Sequence, residues 1–142
     1  MVPTFENVTY HGRGPFENYP DRKSAAMLGS WHLAVQDFYT PYIFPSENGL
    51  RTDVTDIIMN HQKITVSQAP ISFRVSRFSQ NELMQKKHRQ ELTADQGIWI
   101  NLDGFHMGVG GDDSWSPSVA EAYLLNNSQY HYELTWKELD ND

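Results

Sequence analysis

A chain of 142 residues is the usual size of one domain and is long enough to bury a real core. Its net charge of −7 argues against nucleic acid as a partner, because gripping phosphates needs clustered Lys and Arg, and the absence of cysteine leaves no disulfide framework or thiolate metal site. No apolar stretch is long enough to span a bilayer and no signal-type apolar run follows Met1, so the expectation is a soluble, cytoplasmic protein with no membrane partner.

Four Trp, seven Tyr and seven Phe among many short polar breaks favour an all-β chain. Phe5 to Tyr10 reads as a short strand. "HGRGPFENYPDR" follows as a loop, because Gly12, Gly14, Pro15 and Pro20 interrupt a regular ladder. "DRKSAAML" predicts a brief helix with Asp21 as its N-cap. "SWHLAVQ" alternates, with Trp31, Leu33 and Val35 on one face, as a half-buried strand does. After the loop "TPYIFPSENGLR", with Pro41, Pro45 and Asn48-Gly49, strands are expected from Thr52 to Ile58, Lys63 to Ser67 and Ile71 to Ser76. In the last of these Ile71, Phe73 and Val75 point inward, and Ser72, Arg74 and Ser76 outward.

"SQNELMQKK" is the more credible helix. Ser79 stands three residues before Glu82, the capping-box spacing, Leu83 and Met84 give a small apolar face, and Lys86 and Lys87 suit the C-terminal end. "GIWINLD" then alternates as a strand and runs into "GVGGDDSWSPSV". Strands from Ser118 to Leu125 and from Tyr130 to Leu139, joined by a hairpin turn at "NNS", are expected to close the chain, with "ELDND" as a frayed tail. The sum is about seven to nine short strands and one or two short helices, in one antiparallel β-sandwich or barrel.

The polar residues offer few chemical constellations. Asp112 and Asp113 could form an acid/base pair, but adjacent residues usually point apart, and Asp in turns more often caps backbone N–H groups. With Asp103 they could also contribute to a calcium site, although such a site needs several converging oxygens. None of His11, His32, His61, His88, His106 and His131 sits in a metal-binding motif, so no metal ligand is assigned. His106 stands out only because it lies where the strand feeds the following loop. There is no nucleophile elbow and no phosphate-binding loop. Trp115 is an indole in a flexible acidic loop. It either folds back on the sheet as an anchor or offers its face to the C–H face of a sugar, with Asp112, Asp113 and Ser114 around it and Pro117 stiffening the exit. Composition does not decide between the two.

Three segments carry a resemblance: "GRGPFENYPDR" (Gly12 to Arg22), "YTPYIFPSENGLR" (Tyr39 to Arg51) and "DGFHMGVGGDDSWSPSV" (Asp103 to Val119). Together with "RFSQNELM" and "YHYELTWKEL" they resemble the C-terminal domain of the large bacterial β-galactosidases of glycoside hydrolase family 2, over nearly the whole chain. Phe16 departs from the pattern, since many relatives carry a polar residue or His there. The resemblance implies a galactose-mutarotase-like supersandwich, of which residues 1–142 look like the C-terminal half. It implies that the catalytic glutamates and the magnesium and sodium ions of the family belong to other domains, so this chain has no catalytic residue and no cofactor of its own. It also implies that Trp115, matching the tryptophan of the family's "DDSWSP" loop, stacks on the sugar on the leaving-group side. Asp112, Asp113 and Ser114 would support it, with His106 nearby.

The expected partners are the rest of a β-galactosidase polypeptide and a galactoside or glucose-type ligand. A free-standing carbohydrate-binding module is the alternative. A mutarotase-like enzyme would need a His facing a carboxylate, and alternation puts His106 and Asp103 on opposite faces. Half a sandwich leaves edges and apolar surface uncovered, so the isolated chain is expected to be inactive, and marginally stable or self-associating.

Overall fold

The computed structural model describes residues 1–41, 46–113, 115–116 and 118–140. Among the described residues eight strands form two antiparallel sheets, as the aromatic-rich, frequently broken sequence predicts. They are β1 (Asn7–Gly14), β2 (Met27–Ala34), β3 (Arg51–Val54), β4 (Asp56–Met59), β5 (Gln62–Val66), β6 (Ile71–Ser76), β7 (Trp99–Asp103) and β8 (Leu134–Glu138). The larger sheet has the order β2-β1-β4-β5-β8 and the smaller the order β3-β6-β7. The core lies between them. Val8, Tyr10, Ile57, Met59 and Ile64 come from the larger sheet, and Val54, Ile71, Phe73 and Val75 from the smaller. Phe38, at the end of a 3-10 turn (Val35–Phe38), joins Tyr10 and Phe73 in a cluster of tilted and edge-on rings.

β1 runs four residues past the expected strand and takes in His11 to Gly14, which the Gly and Pro pattern assigns to a loop. The glycine there marks a close approach, not a break. A Cβ on Gly12 would stand 2.6 Å from Cγ2 of Val54, so only a residue without a side chain lets β1 cross the smaller sheet at this point. The helix expected after Asp21 is absent. Tyr19 and Arg22 instead exchange backbone hydrogen bonds across a tight turn (3.2 and 2.9 Å), and a second turn, closed by Ala26 N on Lys23 O (3.0 Å), leads into β2.

The stretch expected as one strand from Thr52 to Ile58 is two strands in different sheets, broken at Thr55. There the Thr55 amide donates to His11 O (3.0 Å), and its carbonyl accepts from Val66 N (2.9 Å). Asn60 and His61 both have positive φ, the two-residue turn that joins β4 to β5. β6 spans the expected residues, but both of its faces are buried. Ser72, Arg74 and Ser76 alternate with the core residues yet are buried too: Arg74 donates to Glu47 O (2.7 Å) in the preceding loop and to Asn101 Oδ1 (3.1 Å) on the neighbouring β7.

The capped helix is present as α1 (Gln80–Gln85), with Ser79 Oγ accepting from Glu82 N at 3.0 Å. It buries no residue, and Met84 is exposed, so its apolar face finds no core among the described residues. The closing hairpin is not formed. Residues 118 to 125 hold only a 3-10 turn (Glu121–Tyr123), and β8 is shorter than expected and pairs with β5. Alternation marks a segment able to be a strand, but a ladder needs a neighbour. Tyr123 gives its carbonyl to Gly108 N instead (2.9 Å).

Candidate site in the loop after β7

β7 ends at Asp103 and the chain turns at Gly104. Period-2 alternation stops with the strand at Asp103, so it no longer governs where His106 points. Burial raises the Asp103 carboxyl, and nearby His106 opposes that rise. The His106 side chain is mostly covered. Its Nδ1 donates to Met107 O at 2.6 Å, its Nε2 lies 4.0 Å from Glu47 Oε1, and its ring faces Tyr19 at a centroid distance of 6.2 Å. The ring is thus engaged at the base of the loop.

Beyond it the loop is tied to the 19–22 turn by Asp21 and closed locally by Asp113. Asp21 accepts hydrogen bonds from Val109 N (3.1 Å, Oδ1) and Gly110 N (2.8 Å, Oδ2). Asp113 Oδ1 accepts from Trp115 N (3.1 Å) and Ser116 N (2.6 Å), an Asx-type turn that folds the backbone around the tryptophan. Ser116 Oγ also accepts from Ser118 N at 3.3 Å. The Trp115 side chain points outward, and the residue is 85% exposed. Asp112 is exposed beside it, while Asp113 uses one oxygen on the turn. Ser114 and Pro117 lie outside the described residues. Among the described residues no three His, Asp or Glu side chains converge as metal ligands would.

Sequence reasoning missed the support beneath this loop. Asn18 is 1% exposed; its amide donates to Arg13 O (3.2 Å) and Phe16 O (3.0 Å), and its Oδ1 accepts from Thr52 N (3.3 Å) and the Thr52 hydroxyl. Tyr19 is buried. Its hydroxyl accepts from Glu47 N (2.7 Å) and donates to Ser46 Oγ (3.3 Å), and burial pushes its pKa well above the ordinary tyrosine value. Buried Arg51 donates to Pro15 O (2.9 Å) and Gly49 O (2.8 Å) and lies over the Phe38 ring, so three separate segments meet on one guanidinium. A signal for the turn was present: in Tyr19-Pro20-Asp21-Arg22 the Pro and Asp occupy the central positions that turns favour.

A family model described as "Beta galactosidase small chain" matches residues 1–136. The chain belongs to that beta-galactosidase small-chain family. It is 50% identical over 139 residues to a protein named beta-galactosidase from Leuconostoc mesenteroides subsp. mesenteroides, covering 98% of this chain and 13% of the relative. It is 53% identical over 132 residues to a beta-galactosidase from Lactococcus lactis subsp. lactis, covering 93% and 13%. It is also 53% identical over 141 residues to one from Oenococcus oeni, covering 99% and 14%. The small-chain match thus runs through both sheets and the Trp115 loop, while the chain spans only about one seventh of the length of these relatives.

Proposed function

We propose that this chain is the C-terminal part of the last domain of a β-galactosidase, and that it holds Trp115 against a sugar bound by another domain of the same enzyme. The carrying observation is an indole 85% exposed on a loop whose backbone is hydrogen-bonded on both sides of it. An exposed aromatic on a loose loop would lose much of its binding free energy to ordering, and one on a held loop loses less. In this reading the bond-breaking glutamates come from the rest of the polypeptide, the route is the retaining double displacement, and a β-galactoside such as lactose is the substrate. Trp115 orients the leaving-group sugar and helps decide whether water or a second sugar attacks the intermediate. A stacked ring face with few hydrogen bonds contributes on the order of 1–3 kcal/mol, which suits a site that must release glucose and admit water.

The test is made in the complete enzyme. Trp115→Ala should weaken glucose, measured as the acceptor that intercepts the galactosyl intermediate, far more than it changes inhibition by galactose. Equal effects on both sugars would overturn the proposal. The isolated chain should show no turnover of a chromogenic galactoside above background, and its tryptophan fluorescence should not saturate at modest lactose concentrations. Saturable binding by the chain alone would favour the free-standing module.

A further inference from the structure

The motif "NYPDR" and the loop "GVGGDDSW" are almost ninety residues apart in the chain, and in the structure one carboxylate joins them. Asp21 uses both oxygens, one on Val109 N and one on Gly110 N. It sits on a rigid base. The Tyr19–Arg22 turn is closed by two backbone hydrogen bonds, and Asn18 and Tyr19 just before it are buried and bonded into the sheet and the 46–48 segment. On the far side of the loop, Asp113 fixes the turn immediately around the indole. Asp21 therefore sets where the loop stands on the sandwich, and Asp113 sets how the ring leaves it.

We propose that Asp21 is a positioning residue for sugar binding, holding Trp115 in its stacking pose through the amides of Val109 and Gly110. It does so without touching the ligand. This rests on the reading of Trp115 as the leaving-group platform. A carboxylate suits the task because it presents two acceptors and no donor to two N–H groups, and charge-assisted bonds are short and directional. An asparagine keeps the size but offers one acceptor oxygen and turns an N–H₂ toward an N–H, so the loop must shift.

The experiment is a double-mutant cycle in the complete β-galactosidase: Asp21→Asn, Trp115→Ala and the pair, each read as the glucose concentration that half-saturates transfer from the galactosyl intermediate. Asp21→Asn should raise that concentration about three- to tenfold, the scale of one lost hydrogen bond passed on to the ring. In the Trp115→Ala background it should raise it no further, because there is no ring left to position. An unchanged value for Asp21→Asn, or the same increment in both backgrounds, would overturn the inference. If Trp115→Ala alone leaves glucose binding intact, the proposed function fails instead. Should the Asp21 variant not fold, hydrogen exchange on the unmodified enzyme decides: the Val109 and Gly110 amides should exchange well below the rate of an unstructured chain, and free exchange at both would sink the proposal.

Discussion

Phe73 is the residue on which the two sheets close. It is fully buried on the central strand of the smaller sheet, and it meets Tyr10 edge-on at 5.1 Å and Phe38 edge-on at 5.5 Å. Removing a buried phenyl ring to alanine costs about 3–5 kcal/mol in lost burial and cavity. Of this the two ring contacts account for roughly 1–3 kcal/mol. Phe73→Leu, which retains much of the volume but not the edge-on geometry, should therefore cost only about 1–3 kcal/mol. Since a whole domain is stable by about 5–15 kcal/mol, the alanine variant removes a large fraction of what is available. The control is Trp115→Ala. With 85% of that residue already in water, the covered remainder of a ring of roughly 200 Å² is worth under about 1 kcal/mol. Urea unfolding of the chain, followed by far-UV circular dichroism at one fixed protein concentration because the chain is expected to associate, gives all three from the midpoints, provided the slope m is unchanged. A cost below about 1 kcal/mol for Phe73→Ala, or a Trp115→Ala cost equal to that of Phe73→Leu, would refute this assignment of the core.

Acid stability tests Asp53, on β3 where the register with β6 shifts between Arg51 and Val54. Burial would raise the Asp53 carboxyl, but Arg13 Nε at 2.6 Å and Lys23 Nζ at 2.9 Å outweigh it and hold the pKa below the usual carboxylate value. Its contribution to stability is then full above the unfolded value of about 3.9 and is lost as pH falls through the lowered folded value. Wild type should exceed Asp53→Asn in stability at neutral pH, and the gap should shrink below about pH 4 in pH-stepped urea titrations; a constant gap contradicts the assignment. Asn is a fair control because it tolerates the φ of +55° found there. Gly49→Ala should destabilise by more than about 1–3 kcal/mol in the same assay, because φ is +126° and the new methyl would run into the Phe38 carbonyl; a neutral result would mean this segment is not held as described. The isolated chain should self-associate in sedimentation, since edge strand β2 presents Met27 and Leu28 at 70% and 57% exposure, and a monodisperse monomer with a high Tm would count against it.

Much of the sheet framework was legible because it rests on local rules. β6 follows from alternation alone, and the cap of α1 from the Ser79 to Glu82 spacing. The misses share a physical cause: tertiary contacts decided them. Gly12 looks like a breaker until Val54 is seen to press on it. Asp21 looks like a helix cap until its acceptors are seen to face the amides of residues 109 and 110. Residues 118 to 125 have strand-like composition, and Tyr123 nevertheless bonds back to Gly108. At the candidate site, the tryptophan could be suspected from residue type and recognised from resemblance, but its support on Asn18, Tyr19 and Asp21 required coordinates.

The break at Thr55 has a mechanical meaning. One unbroken ribbon starts in the lower leaf of the sandwich and finishes in the upper, stitched at the crossing to His11 and Val66. Both partners belong to the larger leaf, so the crossing is clamped on that side and only the covalent chain carries it into the smaller one. A tug on either layer is borne into the other along the backbone at residues 54–56, with no slack loop between.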